Sequence, residues 1–404
     1  VNRNRRIAAA AAALAVLWAT GCSAAGESPQ GTSSPRVEAS TATAPAPQGD
    51  ERGALIGDQM LVDTAVTTEG ATAHRIVYRS TSGLDGSGTE VSGIVFTPPG
   101  APPEGGWPIV SVGHPTTGVD DECAPSRHPD LLGGAAIADA LLARGFVVVA
   151  TDYQGLGTDG PHPYLEPRSA AYNLIDAVRA ARVTVPGTSN RWAAFGVSQG
   201  GQASWAAAEQ ASDYGDGLEF VGAASLSPAA DLSHIADDLG GIRLTLSQQI
   251  FLPMLLAGIE VQHPDLDPAR YVHGTLAENE DTFMACAGTQ AAEKWDAAVR
   301  ITRADSLPSA TADIDRMRDW LKQNALPQRG GAGPLLVVVA EDDDLIPADW
   351  TRAAVTNACG LGDVIELQSR PGEEHADARA NPGAVQWIAD RFAGAPAPNT
   401  CPVG

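Results

Sequence analysis

Gly196-Val197-Ser198-Gln199-Gly200-Gly201 is the stretch on which the reading of this chain turns. It follows a short apolar run, Trp192 to Val197 (WAAFGV). It opens an Ala-rich stretch, Gln202 to Ser212, with apolar residues at helical spacing. Strand, G-x-S-x-G, helix is the context in which a nucleophilic serine sits on a sharp turn. The turn is tight, so the residues two before and two after the serine must lack bulk, and they are Gly196 and Gly200. Such a turn lifts the Ser198 oxygen above a sheet edge and sets the free N–H groups of a helix N-terminus behind it. Ser198 is the candidate nucleophile.

Working outward, short apolar runs of the kind buried on both faces of a parallel sheet recur along the chain. They are Pro108 to Gly113, Phe146 to Thr151, Trp192 to Val197, Val221 to Leu226, Leu335 to Ala340 and Val364 to Gln368. Helical patterns separate most of them, at Ala135 to Arg144, Ser169 to Val183 and Gln202 to Ser212. His74 to Thr81 and Glu90 to Thr97 read as a leading antiparallel pair. The alternation predicts an α/β fold with a mostly parallel, doubly wound sheet. Between residues 228 and 334 the strand pattern lapses, and only helical pattern remains. That interval holds IRLTLSQQIFLPMLLAGIE (242–260) and reads as a helical cap inserted over the C-terminal edge of the sheet. The folded domain is expected over 55–404.

Serine is a weak nucleophile until a base takes its proton. In this arrangement the chain order is Ser, acid, His. Of eight histidines, at 74, 114, 128, 162, 234, 263, 273 and 375, only His375 lies beyond the last buried run, in RPGEEHADA. It is the candidate base. The acid belongs in the loop after Leu335 to Ala340, where Glu341, Asp342, Asp343 and Asp344 compete, and spacing does not choose among them. The acids not used are expected to cap the helix that starts near Pro347. Glu373 and Glu374 flank His375 and are expected to favour its imidazolium form, so that the base needs mildly alkaline pH to be neutral. The oxyanion needs two backbone donors. Gln199, next after the nucleophile, is one. The other belongs to the loop His114-Pro115-Thr116-Thr117-Gly118; Pro115 has no N–H, which leaves Thr116. His114 reads as a brace for that loop.

Composition narrows the partners. There are 26 Lys plus Arg against 49 Asp plus Glu, a formal net charge of -23, and 44% of residues are hydrophobic. A surface this acidic lacks the basic footprint that a phosphate backbone requires, so no nucleic-acid partner is expected. Residues 1–21 carry Arg3, Arg5 and Arg6 ahead of a short apolar run, Ile7 to Trp18, as a signal peptide does. Ala19-Thr20-Gly21-Cys22 resembles the lipobox of bacterial lipoproteins, with Cys22 as the lipidated residue. Residues 22–54, rich in Ser, Thr, Pro and Ala, read as a flexible tether. Membrane contact is expected only through the Cys22 anchor, with the domain on the outer face of the cytoplasmic membrane or secreted. The remaining cysteines, Cys123, Cys286, Cys359 and Cys401, suit disulfides in an oxidising compartment. Of three pairings, Cys123–Cys286 with Cys359–Cys401 is favoured, since the second closes the C-terminal tail onto the core.

The sequence resembles the secretory lipase family, a branch of the α/β-hydrolases. The likeness lies in HPTTG (114–118), DECAPS (121–126), DYQGLGTDGPHPYL (152–165), GVSQGGQA (196–203), DDDLIP (342–347) and PGEEH (371–375), in the family's order. It implies that the triad acid is Asp343, four residues before Pro347, with Asp344 as the alternative. It implies that an acyl chain lies among apolar cap residues such as Ile250, Leu252 and Leu255. Asp152 and Tyr153 read as braces at the site edge. The expected function is hydrolysis of neutral acyl esters by Ser198, His375 and Asp343 through an acyl-enzyme, with no metal or organic cofactor. The alternatives are acyl transfer to an alcohol by the same residues, and a hydrolase fold kept for binding alone.

Overall fold

Residues 51–402 are described by the computed structural model. The expected signal segment 1–21, Cys22 and the tether as far as Asp50 lie outside the described residues. The tether was expected to run to residue 54, but the packed domain begins earlier. Gly53 N–H donates to the Arg79 carbonyl and the Arg52 guanidinium to the Tyr214 carbonyl.

Among the described residues the sheet has nine strands: β1 (Met60–Leu61), β2 (Thr72–Thr81), β3 (Gly88–Thr97), β4 (Trp107–Gly113), β5 (Val147–Thr151), β6 (Thr188–Val197), β7 (Glu219–Leu226), β8 (Leu335–Ala340) and β9 (Ile365–Arg370). Their spatial order is β1-β2-β3-β5-β4-β6-β7-β8-β9. β1, β2, β3 and β5 pair antiparallel; every pair from β5 onward is parallel. This is the leading antiparallel pair and parallel sheet expected from the apolar runs.

Alternate strand residues enter different cores, as a period of two requires. Ile109, Val147, Val149, Trp192 and Val337 pack with the helices Pro167–Thr184, Gln199–Tyr214 and Ala348–Gly360. Val110, Val148, Phe195 and Val338 pack with Ala135–Leu142 and Asn381–Phe392 on the other face. Both faces are therefore covered, which is why these strands read as unbroken apolar runs.

Between β7 and β8 the regular elements are helical, from His234–Gly240 to Thr311–Gln323, with a core of their own that includes Leu252, Leu256, Tyr271, Phe283 and Met317. The longest, Leu246–Gln262, starts where a capping box fixes it: the Thr245 hydroxyl accepts from Gln248 N–H, and the Gln248 side chain accepts from Thr245 N–H. Disulfides join Cys123 to Cys286 and Cys359 to Cys401, the expected pairing. The first ties the loop after β4 to the helical segment. The second fastens the tail beside β9.

One close approach sets the middle of the sheet. A methyl group on Gly196 would overlap the Gly200 carbonyl, and one on Gly200 would overlap the Gly113 carbonyl. The end of β4, the end of β6 and the start of the following helix thus touch backbone to backbone. Gly200→Ala is expected to lower unfolding free energy by about 2–3 kcal/mol, as overpacking does. Urea denaturation followed by circular dichroism measures this; an unchanged midpoint would contradict the contact.

Candidate active site

Ser198 lies between β6 and the helix Gln199–Tyr214, at φ 58 and ψ -116. A non-glycine residue adopts that backbone only when its surroundings enforce it. Here Ser198 N–H donates to the Leu226 carbonyl at 2.8 Å, and the Ser198 carbonyl accepts from Gln202 N–H at 3.0 Å. β6, β8 and β9 run parallel, so the loops that follow them emerge at one sheet edge. That edge gathers Ser198, Asp343 and His375, residues far apart in the chain.

The Ser198 hydroxyl is 2.8 Å from His375 Nε2, and His375 Nδ1 is 2.7 Å from Asp343 Oδ2. Since a carboxylate only accepts, Nδ1 carries the ring proton and Nε2 is free to take the serine's. The other Asp343 oxygen accepts from the N–H groups of Leu345 and Ile346, at 3.0 and 2.8 Å, which fixes the carboxylate plane. Asp344 turns the other way. Its carboxylate accepts from the Ser247 hydroxyl at 3.1 Å, and its carbonyl from the Thr245 hydroxyl at 2.8 Å, so it joins the acid loop to the helical segment.

The neighbouring acids do not cap the next helix as expected. Pro347 is its N-cap, with no side-chain bond. Glu341 instead pairs with Arg352 one turn into that helix.

Two opposed effects act on His375. Burial disfavours its imidazolium and by itself lowers the pKa. The Asp343 carboxylate, by charge and by hydrogen bond, and the Asp344 charge act the other way and prevail, so the pKa lies above the ordinary 6.5. The expected direction holds, but Glu373 and Glu374 are not its cause. Glu373 is paired with Arg370 at 2.6 Å, and Glu374 is exposed to solvent.

Ser198 opens on a cavity lined by Thr116, Tyr164, Gln199, Leu252 and Leu255. The helix Leu246–Gln262 presents Gln248, Phe251, Leu252 and Leu255 to it, one face at spacing i, i+3, i+4, i+7. Ile250 is off that face and packs within the helical segment, so it does not line this cavity as expected. Phe251 was missed, although the same period, applied to 248–255, selects it. Gln199 is the first residue of its helix, where an N–H has no carbonyl one turn back to take it. Thr116 is half-buried, and its hydroxyl lies 2.6 Å from that of Tyr164.

His114 is buried with Nδ1 at 2.6 Å from the Pro115 carbonyl and Nε2 at 3.3 Å from the Asp152 carbonyl, which braces the loop from within. The Asp152 carboxylate accepts from the hydroxyls of Ser92 and Ser126 and from Ser126 N–H. Sequence reasoning did not single out His162 or Tyr164. The block that holds them was visible, but their partners are 37 and 48 residues away.

The secretory lipase family model matches residues 135–400. A probable inactive lipase of Mycobacterium tuberculosis is 28% identical over 80% of this chain and 74% of its own length. Among solved structures, the closed state of Candida antarctica lipase A superposes with a TM-score of 0.66 at 19% identity, over 87% of this chain and 84% of that one. The rice cell wall degrading esterase LipA of Xanthomonas oryzae gives 0.68 at 21% identity, over 85% and 99%. At such identities the structures speak for the fold: an α/β-hydrolase.

The electrostatics can be tested directly. The His375 ring, followed by NMR, is expected to titrate above 6.5, and Asp344→Asn to bring the midpoint down. A midpoint that ignores the substitution would remove Asp344 from the balance.

Proposed function

The chain belongs to the secretory lipase family, and from that membership we propose that it is an exported serine hydrolase of neutral carboxylic esters. The observation that supports this reading is the hydrogen-bonded line from Ser198 through His375 to Asp343, opening on an apolar cavity. The Ser198 oxygen attacks the ester carbonyl carbon while His375 Nε2 takes its proton. Asp343 holds the imidazole in the tautomer that accepts at Nε2 and stabilises the imidazolium. The N–H groups of Gln199 and Thr116 receive the negative charge that develops on the carbonyl oxygen. His375 then protonates the leaving alcohol, and water repeats the sequence on the acyl-enzyme. The acyl chain lies along Phe251, Leu252 and Leu255. The helical segment 228–334 serves as the cap over the site. The two disulfides and the lipobox at Cys22 support export, with Cys22 as a lipid anchor.

One relative is a probable inactive lipase, so a binding role for the same fold is the rival reading. Fold likeness does not separate the two, because function resides in the site. What supports the hydrolase reading is that this chain has serine, histidine and aspartate within hydrogen-bond reach.

The first test is a ladder of p-nitrophenyl esters, from acetyl to palmitoyl, on the wild type and Ser198→Ala. The variant is expected to lose at least several orders of magnitude in kcat, as other triad serines do. Each buried methylene is worth about 0.8 kcal/mol, so kcat/KM is expected to rise up to about fourfold per CH₂ until the cavity is full. Activity confined to acetyl esters would remove the acyl groove. An equally active variant would remove Ser198, and folded wild type that neither turns over esters nor reacts with a serine-directed phosphonate would favour the binding role.

The base must be neutral to act. With its folded pKa above 6.5, the rate is expected to be low in mild acid and to rise with pH through that value. A kcat/KM profile flat from about pH 5 to 8 would contradict this.

A further inference from the structure

The loop between β5 and the helix Pro167–Thr184 carries the DYQGLGTDGPHPYL block, which the reaction outlined above does not use. It doubles back on itself: Gly155, at φ +79, leaves no room for a methyl against the backbone of Pro161 and His162. Its start is pinned through the Asp152 carboxylate to Ser92 and Ser126. The Tyr153 hydroxyl donates to the His114 carbonyl at 3.2 Å, at the foot of the loop that carries Thr116.

The far end of this loop touches the side chains of both residues whose N–H groups are the candidate oxyanion donors. His162 is buried. Its Nδ1 is 2.7 Å from the Gln154 carbonyl, which can only accept, so the ring proton sits on Nδ1. Nε2 therefore has a free lone pair, and the Gln199 side-chain amide donates to it at 3.0 Å. Burial lowers the ring's pKa to about 4, so the imidazole stays neutral and keeps that lone pair at working pH. Among the described residues, His162 is the partner that holds the Gln199 amide; the amide oxygen has no protein donor. Two residues on, the Tyr164 hydroxyl lies 2.6 Å from the Thr116 hydroxyl. Tyr153 stacks on His162 at 6.0 Å between ring centres, which keeps the imidazole plane fixed.

We propose that His162 and Tyr164 are positioning residues for the oxyanion site, one holding Gln199 and the other Thr116, so that a single braced loop sets the separation of the two donors. The inference rests on the hydrolase reading of Ser198, Gln199 and Thr116. Neither side chain takes part in bond making. Each fixes a residue whose N–H must already point at the place where charge will develop, since a donor that has to reorient gives up much of its advantage.

The test uses the full chain with p-nitrophenyl butyrate, together with an alkyl trifluoromethyl ketone that forms a tetrahedral adduct at Ser198. Loss of a whole oxyanion donor costs about 10²–10³ in kcat; a displaced donor costs less. His162→Phe and Tyr164→Phe are each expected to lower kcat about tenfold, with KM within about twofold, and to weaken the ketone by the same factor as kcat. His162→Gln can donate to the Gln154 carbonyl and accept from Gln199, and it is expected to recover most of the loss. Thermal melts identify variants that are not folded. Tyr164→Phe removes a single oxygen and keeps the ring, so it carries the test if His162→Phe does not fold. Unchanged kcat in folded variants, a rise in KM alone, or a Gln variant no better than Phe would overturn the proposal while leaving the hydrolase reading intact. A Ser198→Ala protein as active as wild type would overturn both.

Discussion

Three backbone segments meet without side chains between them, at Gly113, Gly196 and Gly200. The rest of the site depends on this contact. Because no methyl fits there, the strand β6 can turn sharply into its helix directly above the end of β4. The turn forces Ser198 to φ 58, which points its hydroxyl away from the sheet and toward His375. The same turn makes Gln199 the first residue of a helix, with a free N–H beside Ser198. The loop that leaves β4 at Gly113 is then delivered to the same place, carrying Thr116. The contact thus governs both Ser198 and the candidate donors, although it contains none of them.

The helical segment between β7 and β8 is joined to the site by covalent and polar links rather than resting on it as a loose lid. Cys286 binds it covalently to the loop that follows Thr116. The hydroxyls of Ser247 and Thr245 bond to Asp344, the immediate neighbour of the acid that faces His375. The helix Leu246–Gln262 is therefore fixed at its N-terminus to the acid loop and presents its apolar face to Ser198. Burial of this kind has two consequences. It sets an apolar wall beside Ser198, and it raises the energetic importance of every charge that remains. His375 shows the balance: burial acts against its charged form, and Asp343 with Asp344 acts for it and prevails.

Likeness of fold leaves the chemistry open. Among the structures that superpose on this chain are a lipase and an esterase, and one relative by sequence is a probable inactive lipase. The distinction lies in individual atoms: whether a base stands within hydrogen-bond reach of the serine, whether a carboxylate orients that base, and whether donors face the reacting carbonyl. Here the first two distances are 2.8 and 2.7 Å.

By itself, the sequence determined what is encoded locally. Apolar runs with helices between them specified a parallel sheet, because burial on both faces demands unbroken hydrophobicity. Gly196, Ser198 and Gly200 specified the turn, because only glycine tolerates such backbone contact. The position of His375 after the last run singled it out as the candidate base, because chain order follows strand order in this fold. Tertiary structure decided what depends on the direction of a side chain. Asp343 and Asp344 are adjacent and identical in type, yet one faces His375 and the other faces Ser247, since successive residues in a loop point to different sides. Ile250 and Phe251 look equally apolar in sequence, and the helical period turns only Phe251 to the cavity. The pKa of His375 rises because of Asp343 and Asp344, not the glutamates beside it, because Arg370 pairs with one and solvent surrounds the other. His162 and Tyr164 gained their partners only when the chain brought residues 37 and 48 positions away into contact, a relation that no local pattern carries.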